Sequence, residues 1–144
     1  MCLYSNFKEP QIAQEDIECY KLLRPYDEGK YETFYLGLRI NPDVLNGKSP
    51  LVAKKIFCDG QISPNYDHIE SVMFLKYKIR DGFIHTFLYK EDFEAIGFKN
   101  YSVFRCIIPK GTPYHTGMFP VKGNNYSALC SSEIIFKEKI QWRQ

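Results

Sequence analysis

Apolar and polar residues alternate with a period of two along several stretches of this chain, which is a pattern typical of β-strands. Ile17–Leu23 is one such stretch, and it places Cys19 and Lys21 on the same side of an extended segment. Tyr31–Ile40 is another, rich in the aromatic and β-compatible residues that strands favour. Because turn-forming residues lie between the two stretches, they predict a hairpin over roughly residues 17–39.

The second half of the chain carries clearer signals of the same kind. Three further strands are predicted, at Phe83–Leu88, Tyr101–Ile108 and Ser132–Trp142. A short helix is predicted at Lys90–Ile96, with Gly97 as the residue that ends it. In this half of the chain, two predicted strands and a helix therefore precede the last predicted strand.

Other segments are ambiguous or irregular. Leu51–Cys58 and Ile69–Ile79 fit a strand and a helix about equally well, and a short helical turn fits between residues 41 and 50. Residues 61–68 and the first 16 residues show no strand or helix pattern. Together the segments predict one α+β domain over residues 1–144, mostly an antiparallel β-sheet with one or two short helices.

Composition narrows the classes of function. The chain has 144 residues, including 11 Tyr and 11 Phe, which favours a β-rich core. Its net charge of +2 comes from 19 basic and 17 acidic side chains, a balance that gives no electrostatic footprint for nucleic acid or an anionic membrane, so we expect neither as a partner. No apolar run approaches the roughly 20 residues that span a bilayer.

The five cysteines follow no metal-binding or disulfide pattern. Their number is odd, no C-x-x-C occurs, and no spacing matches a zinc site. We expect no secretory leader, because Cys2-Leu3-Tyr4 is followed directly by Ser5-Asn6 and charged residues. We therefore expect free thiols in a cytoplasmic protein, with no metal and no cofactor.

Two sets of side chains are candidates for a ligand site. His85 and Thr86 lie within a predicted strand, where only one of them faces the core. Glu133 begins the last predicted strand. Each has a plainer interpretation that we favour about three to one, namely a half-buried histidine and an edge-strand charge.

Tyr114 and His115 are the second set, in a predicted loop over residues 112–125 that proline and glycine constrain. Loops on rigid scaffolds carry a large share of binding residues. We weigh a binding role and an ordinary surface connection about equally. The preceding Pro109-Lys110-Gly111-Thr112 lacks the motif of a phosphate-binding loop, and predicts a tight turn.

Four short motifs resemble a group of short uncharacterised proteins of gut bacteria and their phages. The motifs are C-Y-K at Cys19–Lys21, G-F-I-H-T-F at Gly82–Phe87, C-I-I-P-K-G at Cys106–Gly111 and Y-H-T-G at Tyr114–Gly117. The resemblance covers most of the chain. It implies a small cytosolic protein, from a phage or another mobile element, and it implies no particular chemistry.

A weaker resemblance is to the ADP-ribosyltransferase fold, which orders an early Arg or His, a central Ser/Thr strand and a late Glu. The matching positions are Arg24, His85-Thr86 and Glu133. The central strand departs from the family pattern because it has H-T-F in place of S-T-S. The acidic motif departs because S-S-E lacks the Glu or Gln two residues earlier.

Two hypotheses of function remain. In the first, the protein is a non-catalytic module that binds a protein partner or forms a homodimer. In the second, His85, Thr86, Tyr114, His115 and Glu133 converge on a site for a small nucleotide-like ligand, enzymatic or vestigial. The sequence leaves open whether the protein is an enzyme.

Overall fold

A computed structural model of the protein describes residues 3–5, 10–33, 39–52, 66–72, 75–79, 84–93, 101–121 and 123–140. In these ranges the chain forms twelve strands and one helix of four residues. The elements are β1 (Leu3–Ser5), β2 (Gln11–Ile12), β3 (Ile17–Asp27), β4 (Lys30–Thr33), α1 (Pro42–Leu45), β5 (Leu51–Val52), β6 (Tyr66–Val72), β7 (Leu75–Ile79), β8 (Ile84–Phe87), β9 (Ser102–Ile108), β10 (Pro113–Val121), β11 (Asn124–Ser131) and β12 (Glu133–Lys139).

All these strands belong to one antiparallel arrangement. The order across the sheet is β5-β12-β9-β3-β8-β11-β10-β1-β7-β6, with β2 also paired to β10 and β4 to β3. Each neighbouring pair runs antiparallel. The prediction of a mostly antiparallel sheet in a small domain is therefore confirmed.

A one-residue connection determines the curvature of this sheet. Only Ser132 separates β11 from β12, although β8, β3 and β9 lie between those two strands in the sheet. In a flat sheet the two strands would be about 19 Å apart, at about 4.8 Å per spacing. Two steps along the chain span at most about 7.6 Å. The sheet must therefore curl until the end of β11 meets the start of β12.

The curve closes around one hydrophobic cluster, the inner core. Leu129 before the Ser132 link and Ile134 after it both belong to this cluster. Val44 and Leu45 of α1 pack against it. Its buried members are Ala13, Cys19, Leu23, Ile40, Leu51, Ile84, Phe104, Cys106, Ile108, Leu129, Ile134 and Phe136.

A second cluster, the outer core, lies on the opposite face of the central strands. Its buried members are Tyr20, Leu22, Phe87, Phe93, Val103, Phe119, Ala128 and Cys130. Phe87 and Phe119 meet edge to face, with ring centroids 5.1 Å apart. Their rings reach each other because Phe87 is followed across the sheet by the small residues Ala128 and Gly117.

The predicted loop over residues 112–125 is wrong, because most of it is strand β10. Pro113 and Gly117 suggested irregular backbone, but Pro113 is the first residue of the strand, a position that tolerates proline. Gly117 lies in the middle of the strand and is paired with Ala128 of β11. Tyr114 and His115 therefore lie in a strand and not in a loop.

Two other irregular segments also contain strands. The first 16 residues contribute β1 and β2, and residues 61–68 overlap β6, which begins at Tyr66. These strands are short or at the edge of the sheet, where the sequence need not alternate. The predicted turn at Pro109–Thr112 is confirmed: Thr112 N–H donates to the Pro109 carbonyl at 3.1 Å, and Gly111 has φ +88°.

Several predicted segments lie partly outside the described residues. This is the case for Phe83 at the start of Phe83–Leu88 and for residues 141–142 at the end of Ser132–Trp142. It is also the case for residues 34–38 of Tyr31–Ile40, 53–58 of Leu51–Cys58, 61–65 of the segment 61–68, 73–74 of Ile69–Ile79, and 94–97 at the end of the predicted helix. Within the described part of that helix, Phe93 N–H donates to the Lys90 carbonyl at 3.2 Å, so one helical turn forms there. The described portions of both ambiguous segments are strand.

Gly47, just after α1, offers a test of how closely this helix is held to the sheet. A Cβ atom there would lie 2.6 Å from the Phe136 carbonyl oxygen, whereas one at Gly123 would meet nothing within 4 Å. Both residues have nearly the same positive φ, +84° and +83°. Gly47→Ala should therefore lower the free energy of unfolding by about 1–3 kcal/mol more than Gly123→Ala, as measured by urea denaturation. Equal losses in the two variants would show that α1 does not pack as described.

Candidate functional site

His85, Cys130 and His115 form a row across three neighbouring strands. Cys130 on β11 is paired with His85 on β8 and with His115 on β10, so all three side chains share the outer face. Cys130 and His115 are buried, and His85 is partly exposed. The His85 ring packs against Phe119, with centroids 5.5 Å apart. The two candidate histidines therefore lie on one face, two strands apart, with Cys130 between them.

The His85, Cys130 and His115 side chains pack together and do not form a reactive or metal-binding group. Burial raises the pKa of the Cys130 thiol far above its usual range, and the backbone N–H of His115 offsets this only in part. The thiol is thus neutral and a poor nucleophile or metal ligand. Within the ranges that the structure describes, no three His, Cys, Asp or Glu side chains are arranged to hold a metal ion.

Thr86 and Tyr114 lie on the opposite face from the two histidines. Thr86 is buried beside the inner core, and its hydroxyl donates to the Leu129 carbonyl at 3.4 Å. Tyr114 is paired with Ser131 and packs against the same core. The sheet therefore separates the candidates into two pairs.

Glu133 lies beyond the Ser132 link, at the start of β12. It is paired with Val52 on β5 and is partly exposed. Arg24 is the residue that matches the early Arg or His of the ADP-ribosyltransferase resemblance. It lies toward the C-terminal end of β3, and its guanidinium forms an ion pair with Glu32 at 2.8 Å. The geometry does not place the five candidate residues on one face.

Lys21 has the most unusual surroundings among the described side chains, and the sequence did not single it out. Strands β3 and β8, as the structure describes them, are directly paired at one position, Tyr20 with Phe87. Beside this pair, the Lys21 Nζ donates to the carbonyl oxygen of His85 at 2.9 Å. The lysine thus supplies a donor to a β8 carbonyl where the two strands separate.

The Lys21 amine lies near two thiols. Cys19 is on the same face of β3, and Cys106 is its direct partner on β9. Burial lowers the pKa of Lys21 to about 8, because the charged amine loses its solvation. No ion pair joins Lys21 to an Asp or Glu of the described ranges. Part of the side chain still contacts solvent.

The neighbouring thiols remain protonated. Burial raises the pKa of Cys19 to about 12, which a hydrogen bond with Thr86 reduces only in part. Burial also raises the pKa of Cys106 well above its usual value. Near neutral pH the group that changes protonation in this cluster is therefore the amine of Lys21.

The strand pattern already contained a signal for this site. Alternation along β3 puts Lys21 on the same side as Cys19, and that side proves to be the one facing the inner core. A lysine at an inward-facing position of a strand is rare unless it has a specific role.

A separate pocket lies between the β3–β4 turn and α1. Its volume is about 450 Å3. Arg39 lies beside it, with its guanidinium carbon 4.6 Å from the centre of the Tyr26 ring. The residues lining the pocket are Tyr26, Gly29, Lys30, Ile40, Pro42, Leu45 and Asn46. Sequence reasoning did not identify this pocket; Tyr26, an aromatic residue near the end of β3, is the feature that could have indicated it.

Replacing Lys21 by methionine tests its environment through the pH dependence of stability. The pKa of Lys21 is lower in the folded state, about 8, than the ordinary 10.5. Between these two values the unfolded state binds more protons, so the free energy of unfolding of the wild type should rise with pH relative to Lys21→Met. Below about pH 8 both states are protonated, and this gain is absent.

Urea denaturation at several pH values between neutrality and about pH 10 measures the difference between wild type and variant. Lys110→Met, which removes an exposed lysine, controls for the loss of one positive charge. A wild-type-minus-Lys21→Met difference that is flat over this range would contradict a desolvated amine.

The described ranges contain no helix long and apolar enough to cross a membrane. Comparison with family models, with curated proteins and with solved structures finds no match to this chain. Its function is therefore inferred from the two sites above and from the sequence.

Proposed function

We propose that this protein is a non-catalytic binding module that holds a small ligand in the pocket between the β3–β4 turn and α1. The observation that supports this proposal is the pocket itself. Its volume of about 450 Å3 lies within the range of about 300–1,000 Å3 that is usual for ligand sites.

The lining of the pocket indicates the chemistry of the ligand. Ile40, Pro42 and Leu45 supply apolar surface, while Lys30 and Asn46 supply polar groups. A wall of this kind favours a compact apolar or aromatic body that carries one anionic group facing Lys30.

Tyr26 supplies the aromatic wall of the pocket. Arg39 lies over the Tyr26 ring at cation–π distance, and such contacts contribute about 0.5–1 kcal/mol at exposed sites. The same guanidinium adds a second positive charge near the pocket. Both features favour a planar anion over a neutral or cationic ligand.

A nucleotide-like ligand remains the alternative within this class, since a nucleoside phosphate combines a planar base with an anion. The pocket supports it better than the five candidate residues, which do not share one face. An ADP-ribosyltransferase activity has no further support in the described geometry.

The described surface gives less support to a protein partner or a homodimer. Its exposed large hydrophobic residues are Ile12, Tyr26 and Tyr89, each on a different segment. Single exposed residues of this kind are normal and do not mark an interface.

A cytoplasmic location, an α+β class and an origin in a phage or mobile element also remain proposals. The first is supported by the sequence, whose five cysteines are odd in number and follow no disulfide or zinc pattern. A reducing compartment keeps such thiols unbonded.

Binding of planar anions tests the proposal. Benzoate and adenosine monophosphate, compared with neutral benzamide and adenosine, should identify an anionic ligand by a rise in melting temperature. A ligand at about 100 times its Kd adds about 2.7 kcal/mol. Lys30→Met should weaken binding about tenfold or more, because it removes a charged partner, while Lys110→Met should leave it unchanged.

Calorimetric titration of the wild type and the two variants supplies the affinities. Tyr26→Ala should also weaken binding, because it removes the aromatic wall. If neither anion binds, or if they bind equally well to Lys30→Met and Tyr26→Ala, the pocket is not the ligand site.

A further inference from the structure

We propose that Arg39 makes the pocket beside Tyr26 prefer a planar phosphate monoester over a planar carboxylate. This inference rests on the proposed function, because it names the anionic group of the ligand that the same pocket takes. The observation that supports it is the position of two positively charged side chains, Lys30 and Arg39, around the Tyr26 ring.

A β-bulge brings Tyr26 and the first of these charges together. The register between β3 and β4 shifts between Pro25 and Asp27, so Tyr26 is an extra residue without a direct partner on β4. A bulge of this kind redirects the side chain of the extra residue. Tyr26 and Lys30 both line the pocket. The aromatic wall and one positive charge therefore belong to the same turn of the hairpin.

Arg39 supplies the second charge from the segment of chain on the other side of β4. Its backbone is paired with Glu32 in an isolated antiparallel bridge. Lys30 is two residues before Glu32, so it is a diagonal neighbour of Arg39, about 7–8 Å away. The Arg39 guanidinium carbon lies 4.6 Å from the centre of the Tyr26 ring. Because both side chains are long, they can reach one anion that lies beside this ring.

The two charges are not neutralised by the carboxylates around them. Among the described residues, no carboxylate forms an ion pair with Lys30 or Arg39. Glu32, the residue paired with Arg39, is engaged by Arg24 at 2.8 Å. The Asp27 carboxylate, across from Lys30, accepts the backbone N–H of the next residue. Since no residue lining the pocket is acidic, both charges are available to a ligand.

Two available charges distinguish a phosphate monoester from a carboxylate. A phosphate monoester carries about −1.5 to −2 charges at neutral pH, because its second pKa is about 6, and it has three acceptor oxygens. One oxygen can accept from Lys30 while the others accept from the planar guanidinium of Arg39. A carboxylate has one charge and two oxygens, so it gains less from the second cation.

Calorimetric titration with phenyl phosphate and benzoate, which carry the same ring, tests the inference. The wild type should bind phenyl phosphate about tenfold or more tightly than benzoate, because the phosphate gains a further charged hydrogen bond. Arg39→Met, which keeps an unbranched side chain over Tyr26, should remove most of this preference by weakening the binding of phenyl phosphate. Lys110→Met, which removes an exposed lysine elsewhere, should leave the preference unchanged.

The pH dependence supplies a second readout. Between about pH 5 and about pH 7.5 the phosphate loses its second proton. The wild-type preference for phenyl phosphate over benzoate should therefore rise over this range, and the rise should be smaller in Arg39→Met. Inorganic phosphate, which lacks the ring, should bind more weakly than phenyl phosphate.

The outcomes separate this inference from the proposed function. If the wild type binds phenyl phosphate and benzoate equally, or if Arg39→Met weakens both to the same extent, the inference is overturned while the pocket remains a ligand site. Equal affinity for inorganic phosphate and phenyl phosphate would also overturn it, because the ring would then contribute nothing. Binding of neither aromatic anion would overturn the proposed function as well.

Discussion

The short connection through Ser132 is the constraint on which the rest of the structure depends. Because β11 runs almost directly into β12, the strands between them must curl around a common core. The link is fixed by the Ser132 N–H, which donates to the Pro113 carbonyl at 3.2 Å, and by the Ser131 hydroxyl, which donates to the Glu133 carbonyl at 3.1 Å. The curl gives the sheet an inner and an outer face with different chemistry.

This division explains why neighbouring residues of one strand have separate surroundings. His85 faces the outer core, while Thr86 faces the inner one. On β3 the inner face receives Lys21, whose ammonium would be costly to bury without a partner. The strand separation that exposes the His85 carbonyl supplies that partner, and the remaining desolvation appears as a lowered pKa. The amine of Lys21 thus has a structural role as the donor to this carbonyl.

Local patterns predicted the central strands well, since alternation identified most of β3, β8, β9 and β12. They failed for β10, because proline and glycine are rare in central strands and were interpreted as loop signals. Neither site could be predicted in the same way. The face occupied by Lys21 follows from alternation, but its environment depends on where β8 leaves β3, a non-local pairing. The pocket likewise depends on the packing of α1 beside the hairpin turn.

The central claim is that the Lys21 amine is held on the inner face with its charged form disfavoured. A side-chain NMR titration of protein labelled with carbon-13 lysine measures this directly, because the Cε shift reports the protonation of each amine. The account predicts one lysine signal with a pKa of about 8 that is missing from Lys21→Met. If the signal lost in that variant titrates near the ordinary value of about 10.4, the amine is solvated and the account is contradicted.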